Sequence, residues 1–149
     1  MPDTITNAGS TVEVRRTIRA PRQRVFDAWT RPTEVTRWHA PGPMTVALAE
    51  IDLRQGGAYR IHMQAPTGEE HRVVGTYREI DPPKHLVYTW KWETGTDDTV
   101  SIVTVDFIER GAETEVVLRH DQLSREEARA SHLQGWTAIM DKFAASFDA

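Results

Sequence analysis

The sequence predicts one α+β domain, a curved antiparallel sheet of about seven strands wrapped around a long C-terminal helix, with two short helices after the first strand. Three observations carry this. Apolar and polar residues alternate through a series of short runs, the two-residue period of half-buried strands. The links between those runs are short and rich in turn residues, which joins antiparallel neighbours, because parallel strands need crossovers of a dozen residues or more. The chain then ends in apolar residues spaced three and four apart, the mark of an amphipathic helix.

The elements follow in order. Val12, Val14 and Ile18 fall at even numbers between Thr11 and Ala20 and open the domain with a strand. Pro21 suits the first turn of a helix, where its missing N–H costs nothing, and Val25, Phe26 and Trp29 recur on one helical face. Pro32 breaks that helix and begins a second short one that ends near Trp38. Six strand-like runs come next, at 44–54, 58–64, 71–80, 86–93, 100–109 and 114–120. Their connections are Gln55-Gly56-Gly57, Pro66-Thr67-Gly68, Asp81-Pro82-Pro83-Lys84, a segment at 94–98, and Arg110-Gly111-Ala112. Ser124 with Glu127 has the spacing of a capping box. His132, Trp136, Ile139, Met140, Phe143 and Phe147 then mark the buried stripe of the last helix. Residues 1–10 are expected to be a flexible N-terminal segment, and 11–149 the single domain.

Composition excludes whole classes of function. At 149 residues the chain is one domain's worth, and 39% hydrophobic with 27% charged content is ordinary for a globular protein. There is no cysteine, so disulfides, thiolate catalysis and cysteine metal sites are ruled out. Net charge is −4, and the arginines are interleaved with acids instead of clustering into the basic face that phosphate neutralisation requires. Nucleic acid is not an expected partner. The N-terminal residues lack the basic start and apolar run of a signal peptide, and no apolar stretch is long enough to span a bilayer, so no membrane insertion and a cytoplasmic location are expected.

Strand parity assigns an inner face: Tyr59, Ile61 and Met63 on one strand, Leu86, Tyr88, Trp90 and Trp92 on another, Val103, Val105 and Phe107 on a third, Val116 and Leu118 on the last. Arg60, His62, Lys91 and Arg119 alternate with them and face outward. A helix about 10 Å across cannot fill the concavity of such a sheet, and the space left between them is where a small molecule can sit. The expected cavity residues are therefore Trp38, His39, Tyr59, Ile61, Met63, Tyr88, Trp90, Trp92, Val103, Val105, Phe107, Leu118, His120, His132, Trp136 and Met140. Rings that line a pocket and rings that fill a core look alike in sequence, and the five tryptophans are open to both interpretations.

Several local patterns resemble one family. They are Ala20-Pro21, Val25-Phe26, Trp38 with Pro41, Asp52-Leu53-Arg54-x-Gly56-Gly57-x-Tyr59, Gly75-x-Tyr77-x-Glu79-Ile80-x-Pro82-Pro83, and Gly135-Trp136. In this order they resemble the family of the activator of heat-shock-protein-90 ATPase C-terminal domain, in its single-domain bacterial form, within the SRPBCC or START-like superfamily. The resemblance runs from about Thr11 to the end and implies the helix-grip fold, in which a sheet grips the last helix around a hydrophobic cavity. That superfamily includes carriers, cyclases and receptors, so fold alone does not name an activity. It allows a homodimer. A chaperone partner is not expected, because the separate N-terminal domain of the eukaryotic activators has no counterpart here. The usual aromatic pair after the second short helix reads Trp38-His39, which places an ionisable ring at the expected cavity mouth.

No cofactor or metal motif is present. The six histidines show no HExxH or HxH spacing. His62, His71 and His85 read as surface residues, whereas His39, His120 and His132 lie near elements expected to border the cavity. With Tyr88 these three are the candidate catalytic groups: the histidines as proton carriers, the tyrosine as a hydroxyl for a carbonyl. Asp52 and Arg54, two apart on a strand, read as an ion pair. Gly56-Gly57 reads as a hairpin needing positive φ, because no helix follows to make a phosphate cradle. Ser101, Ser124, Ser131 and Ser146 sit in no nucleophile pattern. The absence of a paired acid and base favours binding of a hydrophobic, cyclic or aromatic small molecule. A cofactor-free cyclase, dehydratase or hydrolase using the same cavity, and a protein-interaction module using the outer surface, are the alternatives.

Overall fold

A computed structural model of the chain describes residues 5–8, 11–94, 99–123 and 125–148. The elements run β1 (Ile5–Ala8), β2 (Thr11–Ile18), α1 (Arg22–Thr30), α2 (Pro32–Val35), β3 (Thr45–Ile51), β4 (Ala58–Gln64), β5 (Glu70–Asp81), β6 (His85–Trp92), β7 (Ser101–Arg110), β8 (Glu113–Asp121) and α3 (Glu126–Ala145). All strands join one antiparallel sheet in the order β1-β2-β8-β7-β6-β5-β4-β3. From β3 to β8 each strand pairs with its sequence neighbour, as short turns demand. β2 comes first in the predicted domain yet lies beside β8, so the two ends of the chain meet in the sheet.

The predicted seven strands are all present, and β1 is an eighth. Residues 5–8, placed by sequence in a flexible segment, pair with the free edge of β2 in the register Ile5↔Val14. An unpaired strand edge offers a row of backbone donors and acceptors that a neighbouring chain segment can satisfy. The proposed Ser124 cap lies outside the described residues; α3 begins at Glu126, with Arg125 in the N-cap position and Glu126 and Glu127 in the first turn. Acidic residues there complement the positive end of the helix.

The strands alternate as their sequences require. In β4 Tyr59, Ile61 and Met63 are buried while Ala58, Arg60 and Gln64 are exposed, and Val103, Val105 and Phe107 are buried in β7. β8 departs from alternation because Thr114 to Leu118 are all buried. On its outer face Glu115 is covered by Arg15 and Arg110, whose guanidinium Nη2 donates to Glu115 Oε1 at 2.8 Å. Long basic side chains thus bury a carboxylate and pair it at once.

α1 and α2 close one end of the concavity. Pro32 stands at the first position of α2, as predicted, and the turn after it sends Trp38 back into the core, where its indole Nε1 donates to Ala28 O at 2.9 Å. Trp29 is the centre of that end, with ring centroids 4.5 Å from Trp38, 5.0 Å from Phe143 and 6.0 Å from Phe107. Such ring pairs, tilted or edge-on, add to the area they bury.

Two positions in the β3–β5 region require glycine. Gly56 has φ +82°, which the β3–β4 hairpin needs, and Gly56 N donates to Tyr77 O while Tyr77 N donates to Gly57 O, so the hairpin is docked on β5. Gly75 of β5 stands opposite Tyr59 of β4, and the bare backbone lets the Tyr59 ring lie across it to donate its hydroxyl to Thr89 O of β6 at 2.6 Å. A Cβ on Gly75 would fall 2.0 Å from Thr89 O and 2.6 Å from Tyr59 Cε2. Gly75→Ala is therefore expected to destabilise the protein by about 3 kcal/mol in urea denaturation, since both strands must shift. A wild-type midpoint in that variant would refute the close approach.

Candidate functional site

A cleft of about 610 Å3 opens where α3 parts from the sheet. One wall is the first two-thirds of the helix. Ser131, Gly135 and Ala138 stand four and three residues apart there, a stripe of small side chains, with His132, Trp136 and Ile139 beside it. The opposite wall is sheet: Met63 of β4, His71 of β5, Trp90 and Trp92 of β6. The segment Pro41-Gly42-Pro43-Met44, before β3, forms the rim. Lys142 Nζ donates to Met44 O at 3.0 Å and ties this rim to the helix. Among the described residues that line the cleft none is Asp, Glu, Lys or Arg.

Two indole–imidazole hydrogen bonds hold the helix beside this space. Trp136 Nε1 on α3 donates to His120 Nδ1 on β8 at 2.9 Å, and Trp92 Nε1 on β6 donates to His132 Nε2 on α3 at 3.2 Å. The donors fix both tautomers. His120 must be unprotonated at Nδ1, so its Nε2–H donates to Ser101 Oγ at 2.6 Å, and the Ser101 hydroxyl passes its own proton towards Trp90 O at 3.3 Å. His132 is protonated at Nδ1, which donates to Ala128 O at 2.7 Å.

Of the residues expected to line a cavity, the structure brings Met63, Trp90, Trp92, His132 and Trp136 to the cleft. Trp38, Val103, Val105, Phe107, Leu118, His120 and Met140 are fully packed beneath the helix instead. Tyr59, Ile61, Tyr88 and His39 border a separate internal void of about 10 Å3, which is smaller than any ligand. The concavity is thus filled along much of its length, and the open volume is concentrated at one end. The sequence did not distinguish the two because packing volume, not periodicity, decides it.

His39 is corrected in position. It is not at the mouth but 3% exposed in the interior, turned inward by its backbone bond to Val35 O and held among Trp38, Trp90 and Trp136. Its Nδ1 has no hydrogen-bond partner among the described residues. Burial lowers its pKa to about 4, so the ring is neutral at ordinary pH. Burial, and after it the neighbouring His132, hold His120 well below its usual value too. Tyr88 accepts the Trp29 indole N–H at 3.3 Å, and burial raises its hydroxyl above the ordinary phenol range. It keeps its proton, away from the cleft.

His71, a surface residue by sequence, has a side chain 43% exposed and also borders the cleft, edge-on to Trp92 at 6.3 Å and 3.3 Å from Glu69. Neither it nor the rim at 41–44 carries a periodic signal; the Pro-Gly-Pro run was the only hint. Asp52 and Arg54 form the expected ion pair, exposed, at 2.8 Å. Among the described residues no three His, Asp or Glu side chains gather as a metal-ligand group, and no helix is long and apolar enough to cross a membrane.

An antiparallel sheet curled around a C-terminal helix, closed at one end by short helices and open beside the helix at the other, defines the helix-grip class of the SRPBCC superfamily. The chain belongs to the family described as activator of Hsp90 ATPase homolog 1-like protein, which matches residues 19–148. Solved structures agree in fold. Protein CV1439 of Chromobacterium violaceum superposes with a TM-score of 0.86 at 23% identity, covering 94% of this chain and 98% of its own. Ms6760 of Mycobacterium smegmatis gives 0.83 at 20%, covering 97% and 96%, and the AHSA1 protein of Silicibacter pomeroyi 0.82 at 22%, covering 91% and 96%. No curated protein matches the sequence.

The two buried imidazoles make stability depend on pH. Their folded-state pKa values lie below the ordinary 6.5, so above about 6.5 neither state holds the proton and the full stability is present. As pH falls the unfolded chain takes up protons first and stability is lost, for His39 until about pH 4. His39 alone should cost about 2 kcal/mol between pH 6.5 and 5, at ~1.4 kcal/mol per pH unit. His39→Phe is expected to lower the slope of unfolding free energy against pH by that one-proton amount; an unchanged slope would show that the ring is protonated in the fold.

Proposed function

We propose that the protein binds a hydrophobic, ring-containing small molecule in the cleft between α3 and the sheet, without turning it over. The observation that carries this is Gly135. It lies inside a helix, where glycine costs about 1 kcal/mol relative to alanine, and a Cβ built on it would meet nothing within 4 Å. The packing of the protein itself does not require a glycine there. What it leaves open is the helix side of the cleft, bordered by the equally small Ser131 and Ala138.

The wall materials suit a flat apolar guest. Trp92 is partly exposed there with Trp90 and Trp136 packed behind it, and Met44 and Met63 are adaptable side chains of the kind that make favourable sulfur–aromatic contacts. A guest burying ~300 Å2 of apolar surface gains ~7 kcal/mol gross at about 25 cal/mol per Å2, and association costs erode much of it, so micromolar affinity is the natural expectation. The Ser101–His120 contact argues against hydrolysis. With Trp136 donating to Nδ1, the proton sits on Nε2, so His120 cannot receive one from the serine at that nitrogen. Ser101 is moreover 2% exposed.

Gly135→Ala and Gly135→Trp test the assignment together. The alanine variant should be more stable by about 0.5–1 kcal/mol. The tryptophan variant should remain folded while losing the thermal stabilisation that a panel of uncharged ring compounds gives the wild-type protein. A wild-type protein that responds to none of the panel, or a Gly135→Trp variant that responds equally, would overturn the assignment.

A further inference from the structure

The cleft is not uniform along its depth. Of the residues that line it, Met63, Trp90, Trp136 and Ile139 are buried and form its floor. Gly42, Pro43, Ser131 and Gln134 are exposed and, with the partly exposed His71, make its mouth.

Hydrogen-bonding capacity follows the same division. On the floor, Trp136 spends its indole N–H on His120, Trp90 Nε1 is closed off from solvent by its neighbours, and Met63 and Ile139 have no polar hydrogen on their side chains. Between floor and mouth, Trp92 donates to His132, whose other ring nitrogen is engaged with Ala128 O. At the mouth stand the Ser131 hydroxyl, the Gln134 amide and the His71 imidazole, the last 3.3 Å from the Glu69 carboxylate, all on residues that water reaches. A polar group of a guest therefore keeps its hydrogen bonds only at the mouth. Carried to the floor it would lose its water and gain no partner. An apolar ring gains most on the floor, where its surface leaves water completely.

Resting on the binding assignment above, we infer that the ligand is amphipathic and enters in one sense. Its apolar ring end lies against Met63, Trp136 and Ile139, and a hydroxyl or carbonyl confined to the opposite end stays at the mouth beside Gln134 and His71. Ring compounds that are polar at both ends are rejected, because one end must then be buried without a partner. Gln134 and His71 are the specificity-determining residues of the mouth.

Calorimetric titration with three probes built on one ring system tests this: 2-methylnaphthalene, 2-naphthol and 2,6-dihydroxynaphthalene. The wild-type protein should bind the hydrocarbon and 2-naphthol within about threefold of each other, since a single hydroxyl remains satisfied at the mouth. The diol should bind about tenfold more weakly than 2-naphthol, the effect of one hydroxyl buried without a partner. His71→Leu combined with Gln134→Leu changes only solvent-reached positions and should shift the ratio of affinities by about threefold or more in favour of the hydrocarbon. Equal binding of 2-naphthol and the diol, 2-naphthol tenfold weaker than the hydrocarbon, or an unchanged ratio in the folded double variant overturns the amphipathic class while leaving the cleft assignment standing. No binding of any probe, or binding that survives Gly135→Trp, overturns both.

Discussion

The placement of α3 over the sheet rests on two indole–imidazole hydrogen bonds running in opposite senses, helix to sheet from Trp136 to His120 and sheet to helix from Trp92 to His132. Hydrophobic burial brings a helix onto a concave sheet but is non-directional and tolerates sliding. A directional bond at each site removes that freedom. Each is made between large rings that also touch one another, the two imidazoles lying 4.7 Å apart, so the anchors support a single arrangement. Because the same rings line or adjoin the cleft, its width is fixed by the bonds that fix the helix.

This dependence explains why the site is histidine-rich without being a catalytic constellation. The two anchoring imidazoles, His120 and His132, have their tautomers dictated by an indole donor, and the chain from Trp136 through His120 and Ser101 to Trp90 O runs donor to acceptor without a break. A buried polar network satisfied in this way rigidifies its surroundings. A general base needs instead an unengaged nitrogen facing its substrate. His39 has an unengaged Nδ1, yet it lies beside a void of about 10 Å3 and not in the cleft.

Much of the frame was legible in the sequence because it rests on period and turn chemistry. Alternation at Tyr59-Ile61-Met63 and Val103-Val105-Phe107 identifies inward positions since one face of each strand must be buried. Pro32 and Gly56 mark boundaries that only their backbone preferences can make. The cleft was half legible. Trp90, Trp92, Trp136, His132 and Met63 follow from parity and helical spacing, but so do Phe107, Leu118 and Met140, which are core. Whether two inward rings meet or leave a gap depends on distances across the sheet, to which a one-dimensional pattern is blind. The rim at 41–44 and His71 escape for the opposite reason: they are placed by loop path and strand end, where no period operates.

The asymmetry of α3 follows from the same division between filled and open concavity. Toward its C-terminal end, Met140 and Phe143 are fully buried, and Phe143 meets Trp29, Trp38 and Phe147. At its N-terminal end the face that borders the cleft carries Ser131, Gly135 and Ala138. An interior held at crystal-like density by large side chains favours a large residue at each inward position, so a run of small ones beside three tryptophans leaves a volume that the chain itself does not fill. α1 and the turn after α2 plug the other end with Phe26, Trp29 and Trp38, which leaves the N-terminal half of α3 as the place where the grip is incomplete. Under the proposed function, the ligand completes there the packing that Phe143 and its neighbours complete at the opposite end.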